Sequence, residues 1–334
     1  MIDRDTNNHE NLQLYCEERP LTGRLLIVDD FPTETNTLTD GEAQITYWHT
    51  RYNASHEAST TPPGDALFDT VLIRLPKSHE YFDFVLQMVS SHISPKGKVF
   101  VYGLNDEGIK GAAKKLKEFY GNVETMLIKN HGRILSSEVS AIYEKKRLSD
   151  FASKHVLTYD TKEYEMTYYP GMFAPGTLDV GTELLLDSCI PLLKNGVSVL
   201  DYACGSGIIA RVLLDKAQDL TLDLLDNDTL SLEAAKHNVP QAESLKLEEA
   251  LESHPHQKKY DLIVSNPPIH TEKNLQYETL CKLIQNGFQY LLPGGRLIIV
   301  VQARIKVEDR FESVFGNCTI LAETTRFKVL EGIR

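Results

Sequence analysis

Tyr260-Asp-Leu-Ile-Val-Ser-Asn-Pro-Pro-Ile-His270 reads as a short buried strand running straight into a rigid turn. Leu262, Ile263 and Val264 are apolar and partly β-branched, the pattern of a strand covered on both faces. Pro267 and Pro268 have no N–H to give to a ladder, so the strand stops at Asn266. The proline after it also pushes Asn266 out of the helical region. A stiff turn at the carboxyl end of a buried strand is where open α/β sheets keep their ligands. This turn offers one amide side chain and one proline-restricted carbonyl. Two such acceptors suit an exocyclic –NH2, because they draw the nitrogen toward tetrahedral geometry and free its lone pair for attack. The competing reading is a turn in which Asn266 only caps a chain end.

Outward from this stretch, strands and helices alternate. Strand patterns fall at 197–201, 220–225 and 296–302, helical ones at 178–193, 207–217, 229–237 and 275–292, and the remainder reads as a helix and two closing strands. The first half repeats the arrangement, with strands at 24–29, 44–48, 68–75 and 98–102, helices at 80–93 and 107–120, closing strands at 123–128 and 139–144, and a short helix near Leu12. Such alternation predicts an α/β fold with a mostly parallel sheet.

The halves also match in detail. Phe68-Asp-Thr-Val-Leu-Ile73 parallels Tyr260-Asp-Leu-Ile-Val264, and each is followed by proline, Pro76 in one and Pro267 with Pro268 in the other. Pro95-Lys-Gly97 before Lys98-Val-Phe-Val-Tyr102 parallels Pro293-Gly-Gly295 before Arg296-Leu-Ile-Ile-Val300, and Gly121-Asn122 recurs as Gly316-Asn317. This predicts a duplicated domain, unlike a short solenoid repeat. The copies differ where chemistry would sit. The first strand of the second copy ends Leu200-Asp-Tyr-Ala-Cys-Gly-Ser-Gly207, whereas the first copy has Ile27-Val-Asp-Asp-Phe-Pro32 and no residue like Asn266 before Pro76. The first copy therefore keeps the scaffold and has lost the site.

Gly205-Ser-Gly207 between a strand and a helix lets a ligand approach the backbone closely. Asp226 ends the next strand, 226 − 201 = 25 positions after Asp201. A carboxylate there accepts both hydroxyls of an unphosphorylated ribose, or else serves the start of the following helix. Asp201, at the head of the loop, suits the ammonium of an amino-acid ligand. A nucleoside carrying an amino acid, beside a clamp for an aromatic amine, specifies S-adenosylmethionine and amine methylation.

Asp201-Tyr-Ala-Cys-Gly-Ser-Gly207 resembles motif I of class I methyltransferases, and Asn266-Pro-Pro-Ile-His270 resembles their motif IV. The latter is similar to the Asn-Pro-Pro-aromatic-His form typical of ribosomal RNA guanine-N2 methyltransferases of the RsmC and RlmG type. Gly171-Met-Phe173 and Leu178-Asp-Val-Gly-Thr182 resemble the segment before motif I in that family, and Arg326-Phe-Lys-Val329 resembles the ending on the RsmC side. The resemblance implies two tandem class I methyltransferase-like (Rossmann-like) domains from a duplication. Residues 1–145 would be the degenerate copy, serving RNA binding or structure, 146–165 a linker, and 166–334 the catalytic domain.

It implies methylation of a guanine N2 amine in ribosomal RNA of the small subunit. The catalytic turn would be Asn266, Pro267, Pro268 and His270. The cofactor would meet Asp201, Ala203, Cys204, Gly205, Gly207, Asp226, Asn227 and Asn266, with Phe173 over the adenine or in the core, and Asp179 at the methionine amine or at a helix start. Glu248 or Glu249 could accept from the adenine amino group. Ile269 would meet the substrate base, where the family has a phenylalanine, and His270 would meet the substrate or its backbone, or else be an inert turn histidine. Tyr202-Ala203 replaces a commoner Val-Gly pair. The rival readings are an adenine-amine or protein glutamine methyltransferase and a catalytically silent RNA-binding or assembly factor.

Composition sets the remaining expectations. The chain has 334 residues, long for one domain, and a formal net charge of −12. That argues against a strong nonspecific polyanion binder and leaves room for a local basic face. Lys110, Lys114, Lys115 and Lys117 share a helical segment that either grips phosphate or is a solvated charged face. Lys129, His131 and Arg133 could extend it as a ridge. The cysteines at 16, 189, 204, 281 and 318 have no zinc spacing, and their odd number fits a reducing compartment. No apolar run approaches the about 20 residues of a membrane span. The expectation is a cytoplasmic monomer with ribosomal RNA or the small subunit as partner.

Overall fold

The computed structural model describes residues 4–30, 37–248, 251, 259–267 and 273–334. The chain divides into two compact units, Met1–Phe151 and Ala152–Arg334.

In the first unit, α1 (Arg4–Glu18) leads into β1 (Arg24–Val28), β2 (Gln44–Trp48), β3 (Phe68–Arg74), α2 (His79–Ser90), β4 (Ile93–Leu104), α3 (Ile109–Tyr120), β5 (Glu124–Lys129) and β6 (Gly132–Glu138). The sheet order is β2-β1-β3-β4-β6-β5, parallel except where β6 pairs with β4 and β5. Helix α2 starts where the Ser78 side chain accepts the Tyr81 N–H at 3.2 Å, and α3 stops at Gly121, whose φ of 81° ends it. Leu12 and Tyr15 of α1 pack on Leu25, Ile27, Leu72, Phe100 and Ile134 of the sheet.

The second unit begins with β7 (Ser153–Tyr159) and β8 (Lys162–Tyr168). Then follow α4 (Val180–Cys189), β9 (Ser198–Tyr202), α5 (Ile208–Lys216), β10 (Thr221–Asp226), α6 (Thr229–Asn238), β11 (Ser244–Leu247), β12 (Tyr260–Ser265), α7 (Lys273–Tyr290), β13 (Leu291–Gln302), α8 (Glu308–Phe315), β14 (Thr319–Glu323) and β15 (Phe327–Ile333). Its main sheet runs β11-β10-β9-β12-β13-β15-β14, with only β15 antiparallel to its neighbours. The inner strands are buried on both faces, which is why they read as apolar runs.

With β11 removed, the two sheet orders are the same. The duplication reaches individual hydrogen bonds. Asp69 accepts the Arg24 N–H at 2.9 Å, and Asp261 accepts the Ser198 N–H at 2.8 Å, each tying the start of one strand to its neighbour. The register slips once after Phe68 and once after Tyr260. Asn122 donates to the carbonyls of Tyr120 and Glu138 and accepts from the Glu138 N–H. Asn317 makes the same three bonds with Phe315 and Ile333.

Two expectations are corrected. Residues 146–165 are not simply a linker, because β7 and β8 form a hairpin inside the second unit. Tyr164, Met166 and Tyr168 of β8 are buried, and Asn238 of α6 bonds both the N–H and the carbonyl of Thr167, at 2.7 and 2.9 Å. The closing strand expected at 139–144 lies earlier, at Gly132–Glu138. Asn130 and His131 turn the chain with φ of 46° and 59°, so the return strand starts immediately after them. Among the described residues, no helix is long and apolar enough to cross a membrane.

Candidate active site

Strand β9 has β10 on one side and β12 on the other, so the chain reverses its direction of travel across the sheet at β9. The crevice at the carboxyl end of such a reversal is the ligand position of open α/β sheets. Val264 and Ser265 pair with Asp201 and Tyr202, which brings the ends of β9 and β12 level. The Ser265 hydroxyl donates to the Tyr202 carbonyl at 2.7 Å and locks the two ends together.

Asn266 follows directly. Its Nδ2 donates to Thr182 Oγ1 at 2.9 Å and to Asp179 Oδ2 at 3.2 Å. An ionised carboxylate only accepts, so the amide nitrogen must face Asp179 and Oδ1 must face away from it. Asp179 is the N-cap of α4 and also accepts the N–H groups of Gly181 and Thr182, at 2.9 and 3.2 Å. The helix start thus fixes the orientation of the amide. The sequence reading had Asp179 but missed Thr182, which is buried. Its one local signal is its place three residues after a capping aspartate.

The loop after β9 carries three left-handed residues, Ala203, Gly205 and Gly207, with φ of 57°, 55° and 80°. A side chain at Gly207 would come within 2.8 Å of Val239, so glycine there permits close packing beside α6. At Gly205 a side chain would meet open space, so this backbone is accessible to a ligand. The Cys204 N–H donates to the Leu225 carbonyl at 3.0 Å, and Asn238 holds the Ser206 carbonyl at 2.9 Å. Asn238 therefore joins the glycine loop to the hairpin, a role the sequence reading did not give it. Burial pushes the Cys204 thiol well above its ordinary range, so it stays protonated.

Asp226 accepts the N–H of Gly205 at 2.8 Å and that of Asp228 at 3.0 Å, one on each oxygen. Burial pushes it up to about 6 against those bonds. The cap of α6 is Asp228, which accepts the Leu230 N–H at 2.9 Å. Asp226 is thus released from that duty, and Asn227 beside it is exposed. Asp201 is fully buried; its Oδ2 accepts the Ala210 N–H at 3.2 Å, and its Oδ1 has no partner among the described residues. Burial, with the Asp226 charge adding, pushes this carboxyl up to about 8. An orphaned buried carboxylate oxygen beside an open glycine backbone fits an amino-acid ammonium and a nucleoside.

Phe173 is 56% exposed in the turn before α4, so it is not a core aromatic. The Glu248 N–H donates to the Asp226 carbonyl at 3.0 Å, which puts Glu248 next to the loop. Pro267 is buried, while Pro268, Ile269, His270 and Glu249 lie outside the described residues. Lys114 and Lys115 sit on α3 of the first unit, and each is ion-paired, with Glu118 and Asp83 respectively. Arg133 of the ridge donates to Asn105 at 3.1 Å. A cavity of about 250 Å³ lies at the other end of the second sheet, beside Cys189, Val197 and Pro293, and contains none of these site residues.

A seven-stranded sheet of this order, with a glycine loop after β9 at its reversal point and an Asn-Pro turn after the neighbouring β12, defines a class I methyltransferase-like unit. The chain belongs to the methyltransferase small domain family: residues 163–331 match the family's model, and residues 21–155 match that of its N-terminal domain. Among its relatives is the ribosomal RNA small subunit methyltransferase C of Psychromonas ingrahamii, 28% identical over 319 residues that cover 92% of this chain and 90% of that protein. The protein of the same name from Pseudomonas entomophila is 28% identical over 286 residues, 84% of this chain and 83% of its own. The solved T. thermophilus 16S rRNA N2 G1207 methyltransferase (RsmC), in complex with AdoMet and guanosine, superposes with a TM-score of 0.85 at 19% identity. That alignment covers 98% of this chain and 91% of the other, and it shows that the two-unit fold is shared.

Proposed function

We propose that this protein is an S-adenosylmethionine-dependent methyltransferase acting on the exocyclic N2 amine of a guanine in 16S ribosomal RNA. The observation that carries the reading is the orientation of Asn266: with its nitrogen held by Asp179 and Thr182, its carbonyl oxygen is left to accept. That oxygen and the backbone carbonyl of the Asn-Pro turn accept the two amine protons. The relatives named as small subunit ribosomal RNA methyltransferases support the same substrate class.

When bound, S-adenosylmethionine supplies a methyl group made electrophilic by its sulfonium. Asp201 meets the ammonium, Asp226 and Asn227 the ribose, Ala203, Cys204, Gly205 and Gly207 the nucleoside face of the loop, and Phe173 the adenine. Catalysis then rests on alignment of donor and acceptor and on exclusion of water. Ile269 and His270 lie against the base. The first unit binds RNA or supports the fold, and the protein acts in the cytoplasm as a monomer.

The test is to incubate the protein with methyl-labelled S-adenosylmethionine and either naked 16S RNA or small subunits, then digest the RNA to nucleosides. Label in N2-methylguanosine is expected. Label in N6-methyladenosine, or in protein glutamine alone, would replace this reading with one of its rivals, and no label with intact cofactor binding would favour a silent factor.

A further inference from the structure

The carboxyl edge of the second sheet carries three cations that the site above does not use. Ser265 pairs with Ile299, so Asn266 lies level with Val300, and β13 ends two residues further on at Gln302. Arg304 and Lys306 follow on the loop to α8, and Arg326 stands in the turn between β14 and β15. All three side chains are exposed. Two turns hold them. The Ala303 N–H donates to the Arg326 carbonyl at 2.9 Å, the Ile305 N–H to the Gln302 carbonyl at 2.9 Å, and the Phe327 N–H to Thr324 Oγ1 at 3.0 Å.

Among the described residues, none of these cations is paired with a carboxylate, in a chain of net charge −12. Lys115, Lys154, Lys162 and Lys216 each have a carboxylate partner. Among the described residues, Arg304 bonds only the neutral Gln302, at 2.9 Å through Nε, and the Arg326 guanidinium lies over the Phe327 ring at 5.5 Å. Glu308, at the start of α8, is taken by Lys328. Phe327 in turn reaches Gly181: a side chain there would meet its ring at 3.4 Å. Gly181 is the residue whose N–H Asp179 accepts, and Asp179 holds Asn266. The cations thus stand on the rim of the cleft that presents the acceptor amide.

We propose that Arg304, Lys306 and Arg326 form a phosphate-holding rim for the RNA strand whose guanine enters the catalytic cleft. The proposal rests on the RNA reading given above. Phosphate contacts of this kind fix register and leave base identity to the cleft. Arginine forks match phosphate oxygens, lysine adds a mobile charge, and Gln302 pre-orients one fork. The rim gives the catalytic unit its own hold on the strand, independent of α3 in the first unit.

The test compares the full-length protein with Arg304→Glu/Lys306→Glu/Arg326→Glu, using fluorescence anisotropy on a short single-stranded RNA across a salt series. Calorimetry with S-adenosylhomocysteine reports whether the variant is folded. RNA binding should weaken by about tenfold or more, and the slope of log affinity against log salt should become shallower by about 2, from ~0.7 per lost single-strand phosphate contact. A glutamine triple variant should fall between the two and decides the matter if charge reversal costs cofactor binding. Unchanged RNA affinity and slope in a variant that binds S-adenosylhomocysteine would overturn the rim. So would loss of binding to a polyglutamate peptide with RNA binding retained, which would assign the rim to an acidic protein. If the unaltered protein methylates RNA guanine and the variants keep its KM, the rim alone fails. If it methylates no guanine, the activity reading fails, and the binding comparison still tests the rim.

Discussion

Arg74 stands in the first sheet where Asn266 stands in the second. Thr70 pairs with Lys98 as Leu262 pairs with Arg296, and 74 − 70 = 266 − 262. The Arg74 side chain is 13% exposed and bonds Glu107 at 2.7 Å and Asp5 at 3.2 Å. Asp5 lies in the first turn of α1, as Asp179 caps α4. A guanidinium only donates hydrogen bonds, so the first turn presents a donor where the second presents acceptors. The first copy has become chemically inverted at this point, beyond merely losing a residue.

That ion pair should matter to stability. Burial raises the Glu107 carboxyl, but its bonds to Arg74, to the Leu104 N–H and to Asn8 together outweigh this and hold it below the usual range. Glu107→Ala leaves a largely buried guanidinium short of its main partner and should cost the first unit about 3 kcal/mol, measured by urea unfolding. Because the folded value is depressed, the contribution is present above the unfolded value of 4.5 and is lost as pH falls through the folded one. A variant as stable as the parent would mean that Asp5 alone satisfies Arg74.

Asn266→Ala should leave the affinity for S-adenosylhomocysteine nearly unchanged and abolish turnover, since the amide is assigned to the acceptor. Thr182→Val removes one of the two holds on the amide nitrogen. It should lower kcat roughly 5–10-fold, the ~1 kcal/mol of one hydrogen bond, at constant KM for RNA. Thr182→Ser should restore it. A variant with lowered melting temperature and unaltered kcat would make Thr182 a packing residue only.

Asp201 should give the cofactor-free protein a distinct pH signature. Its value rises from 3.8 to about 8 on burial. Between those limits the unfolded chain has released the proton and the folded chain has kept it, so stability falls as pH rises through the window. Asp201→Asn removes this slope. The melting temperature of the variant minus that of the parent should therefore climb from about pH 4 to about pH 8 and level off outside it. Affinity for S-adenosylhomocysteine should rise toward pH 8 in the parent, because an ammonium favours the carboxylate, and the variant should flatten that rise. A melting difference that stays level across the window would count against the burial argument.

Fragments test the division of labour. Residues 152–334 should bind S-adenosylhomocysteine in calorimetry, and residues 1–151 should not. A fragment of 166–334 removes β7 and most of β8, with the buried Leu157, Tyr159 and Tyr164. It should fail to fold or bind. Cofactor binding by that fragment would mean that the hairpin is dispensable to the glycine loop it is tied to through Asn238.

Much of this was legible from local pattern. The buried strands declared themselves as apolar runs, and Asp69 with Asp261 and Asn122 with Asn317 marked the duplication before their matching bonds were seen. What escaped was hidden for physical reasons. Both two-residue hairpin turns lack glycine: Asp160 and Thr161 take φ of 46° and 64°, as Asn130 and His131 do elsewhere, so the usual turn signal was missing. The hairpin strands alternate around lysine, glutamate and threonine and so read as polar linker. β11 has four half-buried residues and little periodicity. The Thr182–Asn266 bond joins residues 84 positions apart, which no spacing rule reaches.

The strand β11 has no counterpart in the first sheet, where β2 is outermost. Among the described residues, no α-helix stands between β1 and β2 or between β2 and β3, whereas α5 and α6 occupy those intervals in the second unit. A glycine loop takes only a few codon changes, whereas the outer strand and the two helices not found among the described residues would each need a whole element inserted. The divergence of the first copy therefore works as a ratchet. Selection can refine that unit for another task, and drift cannot hand it back a cofactor.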